Sequence, residues 1–207
     1  MTTPPLTYLV RHGEVHNPDR IVYADLDGYR LSELGRAQAA AAARRLPAGS
    51  AIVASPLERA VETASIIASE LGTTVAVDED VTEWHLGRRW AGHVWESLDD
   101  DFPGELTAYL ERPADLPFSP ETLEALADRV AGAVRRHRDT TESPLVIVSH
   151  QDPIQAARLA LTGVPLTDLH NDKPPHAAVI TLQGSGSGDW HEVGMWAPDQ
   201  GVVFPPI

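Results

Sequence analysis

The chain has 207 residues, of which 43 % are hydrophobic and 22 % are charged, a composition that is ordinary for a globular protein and excludes a wholly disordered chain. Sixteen Lys and Arg residues against thirty Asp and Glu residues give a formal net charge of −14, so we expect the protein to repel nucleic acid and anionic membranes. The absence of cysteine excludes disulfides, thiolate catalysis and Cys-ligated metal sites.

The charge balance still permits a small anionic substrate if the basic groups are concentrated locally. Every cation except Lys173 is an arginine, the side chain that makes fixed bidentate contacts to phosphate. No apolar run approaches the roughly 18 residues that a membrane span needs. The first residues, MTTPPLTYLVRHG, lack the basic and apolar regions of a signal peptide. We therefore expect a cytoplasmic protein without a membrane partner, and the sequence carries no signal for an oligomeric state.

The first third of the chain alternates between apolar runs and amphipathic segments. Residues 6–10 (LTYLV) predict a buried strand, and residues 51–54 predict a second, short strand. Between them, the Ala-rich segment 31–46 predicts a helix with Ser32 as its N-cap.

The next predicted helix has a strong start signal. Ser55 is the expected N-cap, Pro56 is at the first helical position, and Glu58 is at the third. The helix is expected to run to Leu71 and to stop at Gly72, before a strand at 73–77.

The second half begins with an irregular stretch, residues 83–118, rich in Trp, Gly and Pro. Ser119-Pro120-Glu121 predicts the start of a further helix, whose apolar positions are spaced by three or four residues: Leu123, Leu126, Val130 and Val134. The remaining predicted elements are a strand at 145–148, a helix at 153–161, late strands at 177–182 and 190–193, and a turn at 184–189 between those last two.

Alternating strands and helices predict an α/β fold, a three-layer α/β/α sandwich with a mostly parallel central sheet. No internal repeat or linker divides the sequence. We therefore expect a single domain over residues 1–207, with residues 83–140 as a small cap inserted over the sheet edge.

Polar residues follow three of the predicted strands directly. Arg11-His12-Gly13-Glu14 follows the first strand, Ser55 and Arg59 follow the second, and His150 follows the strand at 145–148. Open α/β sheets bind ligands at the carboxyl ends of their strands, so distant segments can converge there. Two arginines and two histidines in one pocket indicate an anion site.

The sequence contains five motifs in this order: LVRHGE (Leu9–Glu14), LSELGRAQA (31–39), SPLERAVETA (55–64), Glu83 with the WAG at 90–92, and VSH (148–150). LVRHGE resembles the signature of the histidine phosphatase superfamily, also called phosphoglycerate mutase-like, of the branch 1 type, and the other four motifs resemble those of the family in their order. The resemblance spans residues 6 to about 195.

The resemblance implies a phosphohistidine mechanism. His12 would be the nucleophile, because a neutral imidazole nitrogen can attack phosphorus and hold the phosphoryl group. Nearby arginines favour the neutral imidazole by like-charge repulsion. Glu83 would be the general acid, and a neighbouring phosphate dianion would raise its pKa. Asp78, Glu79 and Asp80 are acidic neighbours, but Glu83 stands where the family pattern places the acid.

The resemblance also implies a set of phosphate-binding residues. Arg11, Arg59 and His150 would clamp the phosphoryl oxygens, with Arg59 near a helix N-terminus that favours anions. Asn17 resembles the family's phosphate-binding asparagine, although the loop before it is one residue shorter than in the common pattern, and His16 could replace it.

After His150 the family commonly has Gly-Gly, where this chain has Gln151-Asp152-Pro153. The N–H of Gln151 could still face phosphate. Asp152 either adds negative charge near the anion site or, as we expect, caps a helix beginning at Pro153.

Substrate-contacting roles are expected for residues outside the phosphate site. Arg88 and Arg89 could meet a second anionic group, the tryptophans of the same loop could stack on a ring, and Tyr23 could reach the pocket mouth. The alternative for each is simple packing or surface exposure. No zinc motif, P-loop or dinucleotide fingerprint is present, so no metal and no cofactor is expected.

The resulting hypothesis is a metal-independent phosphomonoesterase that converts a small phosphorylated substrate to an alcohol and inorganic phosphate. One alternative is a mutase of the same family, for which the 207-residue chain looks short. A second alternative is a non-catalytic protein that binds a phosphorylated ligand, which the presence of both His12 and Glu83 disfavours.

Overall fold

A computed structural model of the protein describes residues 6–186 and 188–199. Its strands are β1 (Thr7–Arg11), β2 (Ala51–Ala54), β3 (Val75–Val77), β4 (Leu145–Ser149), β5 (Val179–Gln183) and β6 (His191–Trp196). They form one six-stranded sheet in the order β3-β2-β4-β1-β5-β6. Residues 1–5, part of the segment in which no signal peptide is expected, and position 187 of the predicted turn lie outside the described residues.

The helices cover both faces of this sheet. They are α1 (Glu33–Ala43), α2 (Glu58–Leu71), α3 (Gly87–Trp90), α4 (Leu98–Asp101), α5 (Glu105–Glu111), α6 (Leu123–Asp139) and α7 (Gln151–Thr162). Single-turn 3₁₀ helices occupy Glu79–Val81, Trp95–Ser97 and Leu166–Asp168. In the described part of the chain, no helix has the length and apolarity required to cross a membrane.

The strand period separates the core into two halves. Tyr8 and Val10 of β1 pack with α1 and α2, whereas Leu9 points to the opposite face and packs with α6 and α7. This alternation follows from the period of two in a strand. The predicted three-layer α/β/α sandwich is therefore confirmed.

The strand directions determine which ends of the strands meet. β3, β2, β4 and β1 are mutually parallel, so their carboxyl ends share one edge of the sheet. β5 is antiparallel to β1, and β6 is antiparallel to β5. The residues that precede β5 therefore lie at the same edge as the residues that follow β1. The mostly parallel sheet is as predicted.

The predicted start of the second helix was wrong. The helix begins at Glu58, with Leu57 at the N-cap position and no side-chain cap. Ser55 lies three residues before the helix, where its hydroxyl accepts the N–H of Leu57 at 3.3 Å and lies 2.7 Å from Nε2 of His150. The predicted stop at Gly72 is confirmed, since Gly72 adopts the left-handed conformation with φ of 66°.

Two other helix starts also differ from the predictions. The helix expected from Ser119 begins at Leu123, because the hydroxyl of Thr122 accepts the N–H of Ala125 and makes Thr122 the cap. The helix expected from Pro153 begins two residues earlier, at Gln151. Proline is tolerated there because first-turn N–H groups have no intrahelical partner.

The stretch predicted to be irregular, residues 83–118, contains three short helices, α3 to α5, and a 3₁₀ turn. Aromatic contacts join them: the ring of Trp90 lies 5.7 Å from Tyr109 and 6.4 Å from Trp95, both edge to face. In the last part of the predicted cap, α6 packs beside the sheet against α7 and β4.

A close backbone contact joins the loop after β1 to the start of α1. Ser32 caps α1 as predicted, since its hydroxyl accepts the N–H of Gly35 at 2.9 Å. A Cβ on Gly13 would lie 2.4 Å from the carbonyl oxygen of Gly35, and a Cβ on Gly35 would lie 2.0 Å from that of Glu14. This close contact between two backbone segments requires glycine at both positions.

Substitution of Gly35 by Ala is expected to destabilise the protein by about 1–3 kcal/mol, because the added methyl group meets backbone that cannot rotate away. The matched control is Gly132→Ala in the interior of α6, where a Cβ meets nothing within 4 Å. That change is expected to stabilise by about 0.5–1 kcal/mol. Urea unfolding of both variants measures the difference, and equal stabilities would contradict the packing argument.

Candidate active site

His12 lies directly after β1 at the carboxyl edge of the sheet, with 2 % of its surface exposed. Its Nδ1 is 2.7 Å from the carbonyl oxygen of Gly13. A carbonyl only accepts, so Nδ1 carries the proton and Nε2 carries the lone pair in the neutral ring. This tautomer is the one that a nucleophilic Nε2 requires.

The surroundings keep this imidazole uncharged. Burial lowers the pKa of His12 well below its ordinary value, and the nearby positive charges of Arg59 and Arg11 lower it further. The ring of His12 lies 5.3 Å from that of His150. The nucleophile predicted from the sequence is therefore neutral throughout the physiological range.

Arg59, near the start of α2, is fully enclosed, with 1 % of its surface exposed. It donates to the carbonyl oxygen of Ala24 at 2.7 Å and stacks over the ring of Tyr23 at 4.7 Å. The acidic residues beside it on α2 pair instead with Arg30 and Arg36. Arg59 therefore points inward, towards the site, and is not part of a surface ion pair.

Arg11 is the last residue of β1 and is also buried. It donates to the carbonyl oxygen of Pro174 at 3.1 Å and to Nε2 of His176 at 2.9 Å. Its Nε has no hydrogen-bond partner among the described residues. The guanidinium is thus held at its far end while one donor is still available.

His150 follows β4 and is completely buried. Its Nε2 lies 2.7 Å from the hydroxyl of Ser55, and its Nδ1 lies 3.6 Å from a carboxyl oxygen of Glu83. Within the described chain, Nδ1 has no hydrogen-bond partner. Burial, then Arg59 and Arg11, lower the pKa of His150 well below its usual value.

Glu83 brings a carboxyl group against this cluster. One of its oxygens accepts the N–H of Trp84 at 2.9 Å, and the other lies 3.7 Å from Arg59. Burial raises the pKa of Glu83 to about 7, against the opposing effect of Arg59. Asp78 and Asp80, the acidic neighbours of Glu83 in the sequence, do not contact this cluster in the same way, because they pair with Arg136 at the surface.

A cleft that is partly open to solvent begins at these groups. The polar residues that line it are Arg11, His12, Tyr23, Glu83, Gln151 and Asp152. Arg59 and His150 lie directly behind this lining, against Glu83. Gln151, for which the sequence predicts a phosphate-binding role, lines the cleft, and its side-chain amide donates to the carbonyl oxygen of Pro174 at 3.2 Å.

Four other predicted site residues are placed away from the cleft lining. The side chain of Asn17 forms two hydrogen bonds with the backbone of Ile21, and His16 is exposed. Arg88 pairs with Asp25 at 2.8 Å, and Arg89 forms a two-point contact with Glu105.

The expectation that Asp152 caps a helix was wrong. It lies in the first turn of α7, and its carboxylate accepts the hydroxyl proton of Tyr109 at 2.8 Å and contacts Lys173 at 2.6 Å. Asp152 also lines the cleft, so the competing possibility, that it adds negative charge near an anion site, stays a prediction. Tyr109 and Lys173 hold this carboxylate between the cap and the sheet.

His176 is a site residue that sequence reasoning missed. It accepts a hydrogen bond from Arg11, and burial, with Arg11, lowers the pKa of His176 to about 2. Its ring lies 5.7 Å from that of His12. The next residue, Ala177, has a strained positive φ of 53° and donates its N–H to the carbonyl oxygen of His12.

The histidines and carboxylates of this site do not form a metal-binding group. In the ranges that the structure describes, no cluster of three or more His, Asp or Glu side chains is arranged to hold a metal ion. The expectation that the reaction needs no metal stays a prediction.

Comparison with known proteins gives one family. The family model described as "Histidine phosphatase superfamily (branch 1)" matches residues 7–195. Glucosyl-3-phosphoglycerate phosphatase of Mycobacterium tuberculosis is 33 % identical over 205 residues, covering 92 % of this chain and 86 % of that protein. An uncharacterised protein of the same species is 38 % identical over 173 residues, covering 75 % and 78 %.

Solved structures agree with this likeness. The structure of mycobacterial glucosyl-3-phosphoglycerate phosphatase in complex with inorganic phosphate matches with a TM-score of 0.79 and 29 % identity. The match covers 95 % of this chain and 98 % of that chain. The likeness therefore extends over the sheet, its flanking helices and the segments that carry the site.

Proposed function

The chain belongs to branch 1 of the histidine phosphatase superfamily and is a phosphomonoesterase, and we propose that it hydrolyses small phosphate esters through a phosphohistidine on His12. One observation carries this proposal. His12 is a buried, neutral imidazole whose Nδ1–H donates to the carbonyl oxygen of Gly13, so Nε2 has its lone pair available in the cleft that His12 lines.

In the first step, Nε2 of His12 attacks phosphorus and forms an N–P bond while the P–O bond to the alcohol breaks. Glu83 donates its proton to the departing oxygen, so the alcohol leaves neutral. A carboxyl group with a pKa of about 7 is protonated in half of the molecules at neutral pH. This is the property that a general acid needs at that pH.

In the second step, water attacks the phosphohistidine. The Glu83 carboxylate accepts a proton from that water, the N–P bond breaks, and inorganic phosphate leaves with His12 restored. Glu83 thereby regains the proton that it lost in the first step. The mechanism needs neither cofactor nor metal.

Positive charge and N–H donors stabilise the transferring phosphoryl group. We assign this role to Arg11 and Arg59, with His150 and Gln151 as hydrogen-bonding partners. The transition state of phosphoryl transfer is stabilised mainly by positioned charges. The role of Asn17 in this set stays a prediction: its amide uses one of two N–H donors at the carbonyl oxygen of Ile21 and accepts the N–H of Ile21.

The organisation of the chain follows from this assignment. We propose that the chain forms one domain, in which the short helices of the predicted cap 83–140 cover the cleft. The proposed partners are the substrate and released phosphate, and a cytoplasmic location stays a prediction.

Replacement of Arg59 by Ala is expected to lower kcat/KM by a factor that corresponds to about 2–4 kcal/mol, the cost of losing one donor to a developing anion. Arg59→Lys is expected to retain part of the activity, because it keeps the charge but loses the planar donor arrangement. Steady-state kinetics test this, and an unchanged rate in Arg59→Ala would remove Arg59 from the site.

A panel of phosphate esters tests the proposed function. The purified protein with EDTA is incubated with p-nitrophenyl phosphate and 3-phosphoglycerate, while released phosphate and 2-phosphoglycerate are both measured. We expect phosphate release that is lost in His12→Ala. Isomerisation without release would show a mutase instead, and the absence of turnover on every ester would contradict the proposal.

A further inference from the structure

Resting on the proposed function, we propose that the preferred substrate is a phosphate ester of an uncharged, aromatic or similarly apolar alcohol. A substrate whose alcohol carries a carboxylate is disfavoured. The inference comes from the part of the cleft beyond the phosphate site, which receives the alcohol.

The lining of the cleft away from the catalytic groups is mostly apolar. It includes Val22, Trp84, Leu86, Trp90, Trp95 and Tyr109. Most of these side chains are themselves already buried, so the favourable free energy comes from the apolar surface that the bound alcohol removes from water. The cleft therefore offers substantial binding free energy to an apolar alcohol and little to a hydrated one.

The polar atoms of three of these aromatic residues are already used elsewhere. The indole N–H of Trp84 donates to the carbonyl oxygen of Glu121 at 2.9 Å, and that of Trp90 donates to Glu105 at 3.0 Å. The hydroxyl of Tyr109 is bonded to Asp152 and Lys173. These rings therefore present apolar surface to the cleft.

A carboxylate on the alcohol would meet no cation there. Among the lining residues that the structure describes, Arg11 is the one cationic side chain, and it lies at the phosphate end. Arg88 and Arg89 pair with Asp25 and Glu105 outside the lining. A desolvated carboxylate without a partner is costly to bind.

The cleft also carries a negative charge of its own. Asp152 lines it, and Lys173, which compensates this carboxylate at 2.6 Å, does not. A second carboxylate in the cleft would face the first without reaching its counter-ion directly. Charge complementarity thus favours a neutral alcohol over an acid such as glycerate.

Three esters of primary alcohols separate these possibilities without large differences in leaving-group reactivity: 2-phenylethyl phosphate, glycerol 3-phosphate and 3-phosphoglycerate. We expect kcat/KM for 2-phenylethyl phosphate to exceed that for 3-phosphoglycerate by about 10-fold or more. Glycerol 3-phosphate, which is polar but lacks the carboxylate, is expected to lie between them.

Two variants test the physical causes separately. Trp95→Ala is expected to lower the ratio of kcat/KM for 2-phenylethyl phosphate to that for glycerol 3-phosphate, because it removes apolar surface. Asp152→Asn is expected to raise the ratio of kcat/KM for 3-phosphoglycerate to that for glycerol 3-phosphate, because it removes the repelling charge and leaves Lys173 uncompensated. Asp115→Asn, an exposed partner of Arg112, is the matched control and should leave both ratios unchanged.

The outcomes distinguish this inference from the proposed function. If His12-dependent phosphate release occurs and 3-phosphoglycerate is hydrolysed as well as 2-phenylethyl phosphate or better, the inference is overturned while the phosphatase function stands. If no ester, p-nitrophenyl phosphate included, gives His12-dependent release, the proposed function fails and the inference with it.

Discussion

Replacement of His12 by Ala is expected to reduce phosphate release by at least about 10³-fold, because no other group at the site can take over the N–P bond. The neighbouring imidazoles of His150 and His176 are not placed to attack a substrate in the cleft. His150 is completely buried and does not line the cleft, and Nε2 of His176 accepts a hydrogen bond from Arg11. Release is measured with an aryl ester and with an alkyl ester, since a residual rate on the more reactive aryl ester alone would indicate direct attack by water.

A second measurement identifies the intermediate. Rapid quenching of the wild-type protein with ³²P-labelled substrate is expected to trap label that is stable in base and lost in acid, as a phosphoramidate bond requires. Such label should be absent from His12→Ala. His12→Asn is the structural control, because its amide can still donate to the carbonyl oxygen of Gly13. Activity within tenfold of the wild type in either variant would be incompatible with a phosphohistidine on His12.

Much of the site could be predicted from the apolar strand patterns in the sequence together with a general rule for parallel sheets. The buried β1 and β4 are readable as apolar runs, and the sheet rule places the residues after parallel strands at one edge. Arg11, His12 and His150 are brought together there as that rule predicts. The convergence of these residues depends on the direction of the strands, so the errors in the predicted helix boundaries did not affect it.

His176 was missed because the sequence analysis considered only residues that follow strands, not residues that precede them. It precedes β5, which runs antiparallel to β1, so the amino end of β5 reaches the edge that the carboxyl end of β1 occupies. An apolar run does not reveal its direction in the sheet. The histidine before a predicted late strand could have indicated a further site residue, but only if the strand was known to pair antiparallel with β1.

The start of α2 shows a different limit. Ser55-Pro56-Leu57-Glu58 has the pattern of a capped helix, yet Ser55 interacts with His150 and the helix starts without a side-chain cap. A local pattern cannot register a partner 95 residues away in sequence. Similarly, the partners that hold Arg88 and Arg89, namely Asp25 and Glu105, come from other segments of the chain.

The pH dependence of kcat/KM is expected to report Glu83. Burial raises its pKa to about 7, so the proton-donating form predominates below pH 7 and is lost above it. The rate of phosphohistidine formation on an alkyl ester is therefore expected to fall about tenfold per pH unit well above pH 7. His12 has a pKa well below its ordinary value, so its titration should not add a second change near neutrality.

Glu83→Gln isolates this effect, because glutamine keeps the shape and cannot donate a proton to the leaving oxygen. We expect kcat/KM for 2-phenylethyl phosphate to fall by about 10²–10⁴-fold below pH 7. The loss should be much smaller for p-nitrophenyl phosphate, whose phenolate leaves without protonation.

Titration of the substrate's own phosphate affects both enzymes equally, so it cancels in the ratio of wild-type to Glu83→Gln activity on one ester. That ratio should be constant at acid pH and should decline through pH 7 for the alkyl ester. A ratio that stays constant across pH 7, or equal losses on the two esters, would show that Glu83 acts on phosphate binding and not on the leaving oxygen. The nucleophilic role of His12 would be unaffected by that result, because the two groups act on opposite sides of the phosphorus atom.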